Sequence, residues 1–446
     1  MGTLLRFALP ATAVTFLSGL FLAVDTFFIA RLGTVELAGA TLIFPVFMII
    51  LTSLGGGIGI GISAIISKRM GRGGLQEAQS CVGSCLGLGL LVPVCFAGVH
   101  LLWGERLLRM ASPDAAVVKA ALDFAEPIFL GAPILGLSLT LSNLLRSERN
   151  LIIPAVMTLG GGAVNALLDP LLMFGMGPLP ALGMRGAGYA TVLGFAVSSL
   201  IGLRVMMGHS RLSLLPGHLT WSPGDMWEII RIALPTILTS LVNNVAYMLL
   251  ALFWAHFGTA AVAGYGLASR FEYVLILTLY GLGSAVVTFG GELLGASQPQ
   301  GLLRVARSAG MLAAAVGALG ALALISFPEA WFILFQAEPA VVEAGGAYFR
   351  VVALAYPFYA LGLVYNYGYQ TLARAEWGLL LGIGRVGLIA LPGIALTLWS
   401  DGSSQSAALA IALSFIAYGL TSSGLFPLAL RSWDTTVMVP APGQPS

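Results

Sequence analysis

Apolar runs long enough to cross a bilayer recur along this chain from Phe7 to Leu430, and that recurrence leaves it few folds to adopt. A hydrocarbon core about 30 Å thick takes about 20 apolar residues in an α-helix, because every backbone N–H and C=O must find its partner within the segment. Twelve such spans are read, beginning near Phe7, Leu37, Ser80, Val117, Leu151, Met184, Glu228, Val262, Leu303, Val341, Trp377 and Gln405. A transmembrane barrel would instead alternate apolar and polar residues in segments of about ten. Here LLALFWA (Leu249 to Ala255) and AAAVGALGALALI (Ala313 to Ile325) are apolar throughout. The expectation is an all-α polytopic membrane protein with twelve transmembrane helices. Composition agrees, with 58% of the 446 residues hydrophobic and 9% charged, against about a quarter charged in a soluble globule. The first span runs on into a loop without a small-x-small cleavage site, so it is expected to be retained rather than removed as a signal peptide.

The few charges have a topological role. Arg6, Lys68, Arg69, Arg72, Arg146, Arg149, Arg204, Arg211, Arg231, Arg304, Arg307, Arg374 and Arg431 fall at the N-terminus, in alternate loops or at the C-terminus. The other loops hold Arg31, Arg106, Arg109, Lys119, Arg185 and Arg350. By the positive-inside rule both termini face the cytoplasm, which predicts a multi-pass protein of the inner (plasma) membrane. A net charge of +2 points to no acidic partner, and no nucleic acid is expected. Cys81, Cys85 and Cys95 lie in or beside the third span with no second cluster to complete a metal site, and read as small buried hydrophobes. The four histidines are scattered. With no nucleophile–base pair or metal cluster in view, the chain is not expected to be an enzyme.

The chain also repeats itself. Arg6 onward reads RFALPATAVTFLSGLFLAVDTFFIARLGTVELAGA, and Arg231 onward reads RIALPTILTSLVNNVAYMLLALFWAHFGTAAVAGY. Arg, Ala-Leu-Pro, Gly-Thr and Ala-Gly align without a gap, with about ten identities in about 35 positions. The match returns where AVVKA at Ala116 meets AVVEA at Ala340, and where Pro133 meets Pro357. Two six-helix halves are therefore expected: residues 1–208 with a cation site, a cytoplasmic linker over 209–227, and residues 228–446. Six spans being even, both halves enter from the same side and are related by an axis along the membrane normal, the architecture of a secondary transporter. LGGGIGIGISAIISK (Leu54 to Lys68) lacks the GxxxxGK[ST] spacing of a phosphate loop and lies within a span, so close helix packing accounts for its glycines.

Ionisable residues inside spans are functional candidates, because a charge at the bilayer centre costs at least about 2.5–3.5 kcal/mol unless paired or neutralised. Asp25 lies 19 residues after Arg6 (25 − 6) and Asp169 lies 20 after Arg149 (169 − 149), both on helices that run outward. At 1.5 Å per residue each carboxylate is about 30 Å along its helix, so the two share a depth. Asn165 sits one turn before Asp169 on the same face. Pro170 removes a backbone donor and leaves a carbonyl near Ala166 without its usual partner. Thr191, early in the returning sixth span, can reach a similar depth. Together these are hard oxygen ligands suited to a shared proton or a sodium ion. The alternative is a polar knot that locks the helices. Asp25 aligns with Leu250 and Asp169 with the region of Gly393, so neither acid is repeated in the second half, and only the first half is expected to handle a cation.

In the second half, Arg270 and Glu272 (ASRFEYV) lie about ten residues into the eighth span. Neighbours at i, i+2 do not face each other on a helix, so each is expected to find a partner on another helix. Asn243 and Asn244 lie in the seventh span, and the tenth carries Tyr356, Phe358, Tyr359, Tyr365, Tyr367 and Tyr369. Tyr365 and Tyr369 share a face and could wall a cavity for a flat organic cation, or simply pack.

VDTFFIARLGT (Val24 to Thr34), NALLDPLLMFGMGPLPALGMRGAGYATVLG (Asn165 to Gly194) and the repeated ALP and GT elements resemble the multidrug and toxic compound extrusion (MATE) family over nearly the whole chain. The resemblance implies a V-shaped transporter of two six-helix bundles that exports cationic amphipathic compounds in exchange for protons or sodium ions, as a monomer and without a cofactor. It also implies that Asp25, Asn165, Asp169 and Thr191 form the cation site of the first bundle. NorM-like members carry an acid in the seventh helix where this chain has Asn243; with SRFE in the eighth, the chain looks closer to the DinF-like branch. A related lipid-linked saccharide flippase is the alternative, but it would be expected to line its cavity with several cationic side chains, and only Arg270 and Arg385 lie well inside spans.

Overall fold

The structure is a computed structural model that describes residues 2–71, 75–148, 150, 152–177, 180–208, 210–212, 214, 220–295, 298–372, 375–399 and 404–431. Its elements are helical. In chain order they are α1 Gly2–Leu32, α2 Thr34–Leu51, α3 Gly59–Gly71, α4 Leu75–Ala111, α5 Ala115–Leu130, α6 Ala132–Ser147, α7 Ile152–Phe174 and α8 Met184–Gly208 in the first half. The second half holds α9 Pro223–Ala255, α10 Thr259–Gly295, α11 Pro299–Ser326, α12 Ala330–Leu334, α13 Pro339–Val352, α14 Tyr356–Thr371, α15 Ala375–Trp399 and α16 Ser404–Arg431.

Local chemistry sets several helix ends. Ser222 caps α9, its hydroxyl accepting from the Asp225 N–H at 3.3 Å, with Pro223 next in the first turn, where a missing N–H costs nothing. Asp114 caps α5 in the same way, accepting from the Ala116 N–H at 2.9 Å. Between α2 and α3 the chain does not break but widens into a π-helical segment, Thr52–Ile58, whose sequence TSLGGGI offers three glycines to absorb the wider turn. α5 and α6 meet at Gly131 with a bend of 56°, where Pro133 supplies no backbone donor to continue the first helix.

Among the described residues nine helices are long and apolar enough to cross a membrane, or ten if the bent pair α5–α6 is one span. α1 and α15, 31 and 25 residues long, have the length to span, and part of each lies outside the described side chains. The expected span starts fall on this framework, except Leu151, which lies outside the described residues one position before α7. Large apolar side chains such as Leu102, Leu200, Leu319 and Leu413 are exposed on the helix surfaces, as suits a lipid-facing protein.

α7 runs along α8, and α1 lies between α7 and α10. α2 packs on α5, α9 and α10, so the two sequence halves meet chiefly through α1, α2, α9 and α10. Hydrogen bonds also join them: Arg31 Nε donates to Gln336 Oε1 at 3.1 Å, and Thr259 Oγ1 to Asp114 Oδ2 at 3.2 Å, both at the end expected to face outward. At the opposite end Arg69 pairs with Asp225 at 2.5 Å and Glu228 at 3.7 Å, and the Asp225 hydrogen bond holds the Arg69 guanidinium above its ordinary range. The expected linker lies partly outside the described residues; of those described, Ser210 and Leu212 bind Glu148 and Thr220 binds the Ser80 carbonyl.

Candidate functional site

A close helix crossing positions Asn165 and Asp169. A β-carbon at Gly161 would lie 2.7 Å from the Gly194 carbonyl oxygen, and one at Gly194 2.7 Å from that of Gly161. Only two glycines allow α7 and α8 to approach this closely, and the approach sets Asn165 against α8, its Cβ 3.1 Å from where a Gly194 side chain would start. Asn165 Nδ2 donates to Asp169 Oδ1 at 3.3 Å, the i, i+4 contact expected on one face. Asp169 is fully buried; α7 continues through Pro170 to Phe174. Asp25 on α1 stands within electrostatic range of Asp169. Thr191, on α8, donates to the Ala187 carbonyl at 3.0 Å and leaves its oxygen lone pairs available. Asp25 Oδ1 and Asp169 Oδ2 are both buried and without a hydrogen-bond partner among the described residues. A buried carboxylate oxygen in that condition calls for a proton or a cation.

The donor set suits either. Two carboxylates, the amide oxygen of Asn165 and the Thr191 hydroxyl are the hard oxygens a sodium ion takes. Among the described residues no three His, Cys, Asp or Glu side chains gather as a transition-metal site would require.

Across the half-to-half contact, α10 presents two charged side chains in two directions, as the i, i+2 spacing predicts. Arg270 turns toward the first half. Its Nε donates to Thr26 Oγ1 at 3.1 Å, its guanidinium carbon lies 3.6 Å from the centre of the Phe44 ring, and Asp25 is within electrostatic range. Thr26 in turn donates to the Leu22 carbonyl at 2.9 Å, which orients its oxygen to accept from Arg270. Arg270 Nη1 is buried without a partner among the described residues, the cationic counterpart of the orphan oxygen on Asp25. Glu272 turns into the second half, where Tyr348 and Tyr356 donate to its Oε1 at 2.6 and 3.3 Å.

The remaining candidates are distributed differently. Asn244 binds across the halves, donating to Thr52 Oγ1 at 3.3 Å and to the Ser240 carbonyl at 2.9 Å; the Asn243 side chain lies outside the described residues. Tyr365 and Tyr369 are not brought to the charged groups of α10. Both are buried against Phe426 of α16, at ring separations of 5.2 and 5.3 Å, and the Tyr369 hydroxyl donates to the Ser422 carbonyl at 2.8 Å. Sequence reasoning missed Thr26, Phe44, Tyr247 and Tyr348. Tyr247 shares a hydroxyl contact of 3.0 Å with Tyr359, beside which Arg385 lies 5.5 Å from the ring centre. Their only sequence signal is burial on a helix face, which they share with many packing residues.

Comparison with known proteins matches both the sequence and the fold. The MatE family model matches residues 10–171 and again residues 235–396. The offset of 225 (235 − 10) is the one that aligns Arg231 with Arg6 (231 − 6). The FAD transporter of Shewanella oneidensis is 28% identical over 379 residues, 85% of this chain and 84% of its own length. The probable multidrug resistance protein NorM of Thermotoga maritima is 22% identical over 363 residues, 81% of this chain and 78% of its own. Among solved structures, the inward-facing conformation of a multidrug resistance MATE family transporter of the MOP superfamily superimposes with a TM-score of 0.86, at 21% identity, over 94% of this chain and 96% of its own. The outward-facing conformation of a multidrug resistance MATE family transporter superimposes with a TM-score of 0.75, at 20% identity, over 96% of each chain.

Proposed function

The chain belongs to the MatE family and is a multi-pass membrane transporter rather than an enzyme; from that premise we propose that it exports cationic amphipathic compounds by antiport with protons or sodium ions. Asp25, Asn165, Asp169 and Thr191 bind the coupling ion in the first half, residues 1–208. Residues 228–446 form the second bundle, with 209–227 as a cytoplasmic linker. Twelve spans in a V, both termini in the cytoplasm and a monomer complete the reading. SRFE on α10 and Asn243 in place of an acid support a position nearer the DinF-like branch.

The single observation that supports ion coupling best is the pair of buried orphan oxygens, Asp25 Oδ1 and Asp169 Oδ2, on facing helices. Two such carboxylates are neutralised in turn by a proton or cation, and an ion held more tightly in one state than the other is what can shift the populations of outward and inward states. Arg270 adds a competitor for Asp25: when the coupling ion leaves, the guanidinium remains as counter-charge, so the halves are held together through α1 and α10 until an ion returns.

A second reading follows from the similarity to a FAD transporter. A flavin dinucleotide is flat, aromatic and anionic, and two buried arginines in the second half, Arg270 and Arg385, favour a substrate of that charge. Inside-out vesicles separate the readings. An imposed pH or sodium jump should drive ethidium on the first reading and FAD on the second. Ethidium unmoved by both jumps while FAD is carried would remove the cationic-substrate proposal.

A further inference from the structure

We propose that Glu272 is a further proton-exchanging carboxyl, built into the second half and separate from Asp25 and Asp169. Its surroundings are asymmetric. Oε1 accepts from Tyr348 at 2.6 Å and from Tyr356 at 3.3 Å, whereas Oε2 is buried with no partner among the described residues. Glu272 is 0% exposed, and Tyr265, two turns earlier on the same face of α10, has a buried hydroxyl that also lacks a partner among the described residues. Trp254 stacks on Tyr265 at 6.1 Å and meets Tyr348 edge-on at 5.8 Å, so the carboxyl sits among aromatic rings.

The titratable and charged groups that face it are Tyr247 of α9, Tyr265 and Tyr273 of α10, Tyr348 of α13, Tyr356 of α14 and Arg385 of α15. Arg385 lies over the rings of Tyr359 and Tyr418, at 5.5 Å from each centre. Two hydroxyl donors on one oxygen and a cation engaged with aromatic faces are a thin counterweight to a full charge in so dry a place. A proton on Oε2 removes the charge where the structure leaves the oxygen bare. Parting α10 from α13 and α14 admits water and releases that proton. The residue's repeat mate supports a dedicated role: by the offset of 225, Glu272 aligns with Phe47 (272 − 225), so packing at this register takes an apolar side chain. The halves then each carry acid where the other carries hydrocarbon, Asp25 opposite Leu250 and Glu272 opposite Phe47. The use of this proton for export rests on the antiport reading; its binding does not.

Infrared difference spectra of the full chain in liposomes, stepped between acid and alkaline buffer, read protonated carboxyls directly and need no substrate. A carboxyl C=O band that disappears on alkalinisation is expected, lost in Glu272→Gln and retained in Asp25→Asn, which loses a band of its own. Glu272→Asp keeps an acid and should move the band rather than remove it, so the proposal stays testable if the amide variant does not fold. A Glu272→Gln or Glu272→Asp spectrum that superimposes on the wild-type spectrum overturns the proposal, as does a Glu272 band that ignores pH. Loss of the Glu272 band in Glu272→Gln while Asp25→Asn leaves the spectrum unchanged would sustain this inference and count against Asp25 as the coupling acid.

Discussion

Asp25 has a buried oxygen with no hydrogen-bond partner among the described residues, so replacing it with asparagine removes charge and little bonding. With a proton or cation already neutralising Asp25, Asp25→Asn should change stability by no more than about 1 kcal/mol, with export driven by an ion gradient falling to background in liposomes. Leu250, the aligned position in the second half, is 3% exposed. An amide there is a buried polar group in a hydrocarbon site and should cost about 2–4 kcal/mol. Thermal unfolding in detergent then separates the two: Leu250→Asn melts early, Asp25→Asn melts near wild type and fails only to couple. Full coupled export by Asp25→Asn would remove Asp25 from the mechanism. Asp25 and Asp169 were legible in the sequence because a carboxylate in an apolar run is conspicuous. Arg270 was legible as a charge, but its partner was not: Thr26 stands 244 positions away, and nothing local ties the two.

At the scale of the helix, the site depends on how closely α7 and α8 approach. Gly161 has no room for a side chain against the Gly194 carbonyl. Gly161→Leu should push the helices apart at a cost of about 1–3 kcal/mol and carry Asn165 and Asp169 away from Thr191. The expected result is a lowered melting temperature together with weakened ion-driven export; export unchanged in the face of a lowered melting temperature would show that the α7–α8 spacing does not set the ion site. Helix faces were readable from periodicity, which put Asn165 and Asp169 together, and Tyr365 and Tyr369 together. Periodicity names the members of a face but not the neighbour that covers it. α16 lies against the tyrosine face and the charged residues of α10 lie elsewhere, so the aromatic contacts to Glu272 come from Tyr348 and Tyr356 instead.

For the whole molecule, the distribution of basic residues makes a prediction that packing alone does not. In a background with Cys81, Cys85 and Cys95 replaced, Gly73→Cys and Gln300→Cys should react with a membrane-impermeant thiol reagent only from the cytoplasmic side, and Asp114→Cys only from outside. Labelling of Gly73→Cys from outside would reverse the topology. Membrane embedding, all-helical class and internal duplication were determined by the sequence itself, because the bilayer demands long apolar helices and a repeat of half the chain leaves matching residues in both copies. The tertiary structure alone decided which buried charges meet. Helices α1 and α10 lie far apart in the chain, yet their contact delivers Arg270 to the neighbourhood of Asp25 and leaves Glu272 to the tyrosines. A side chain's partner depends on the rotation and separation of whole helices, set by small contacts such as Gly161 against Gly194, and no local pattern of residues encodes that distance.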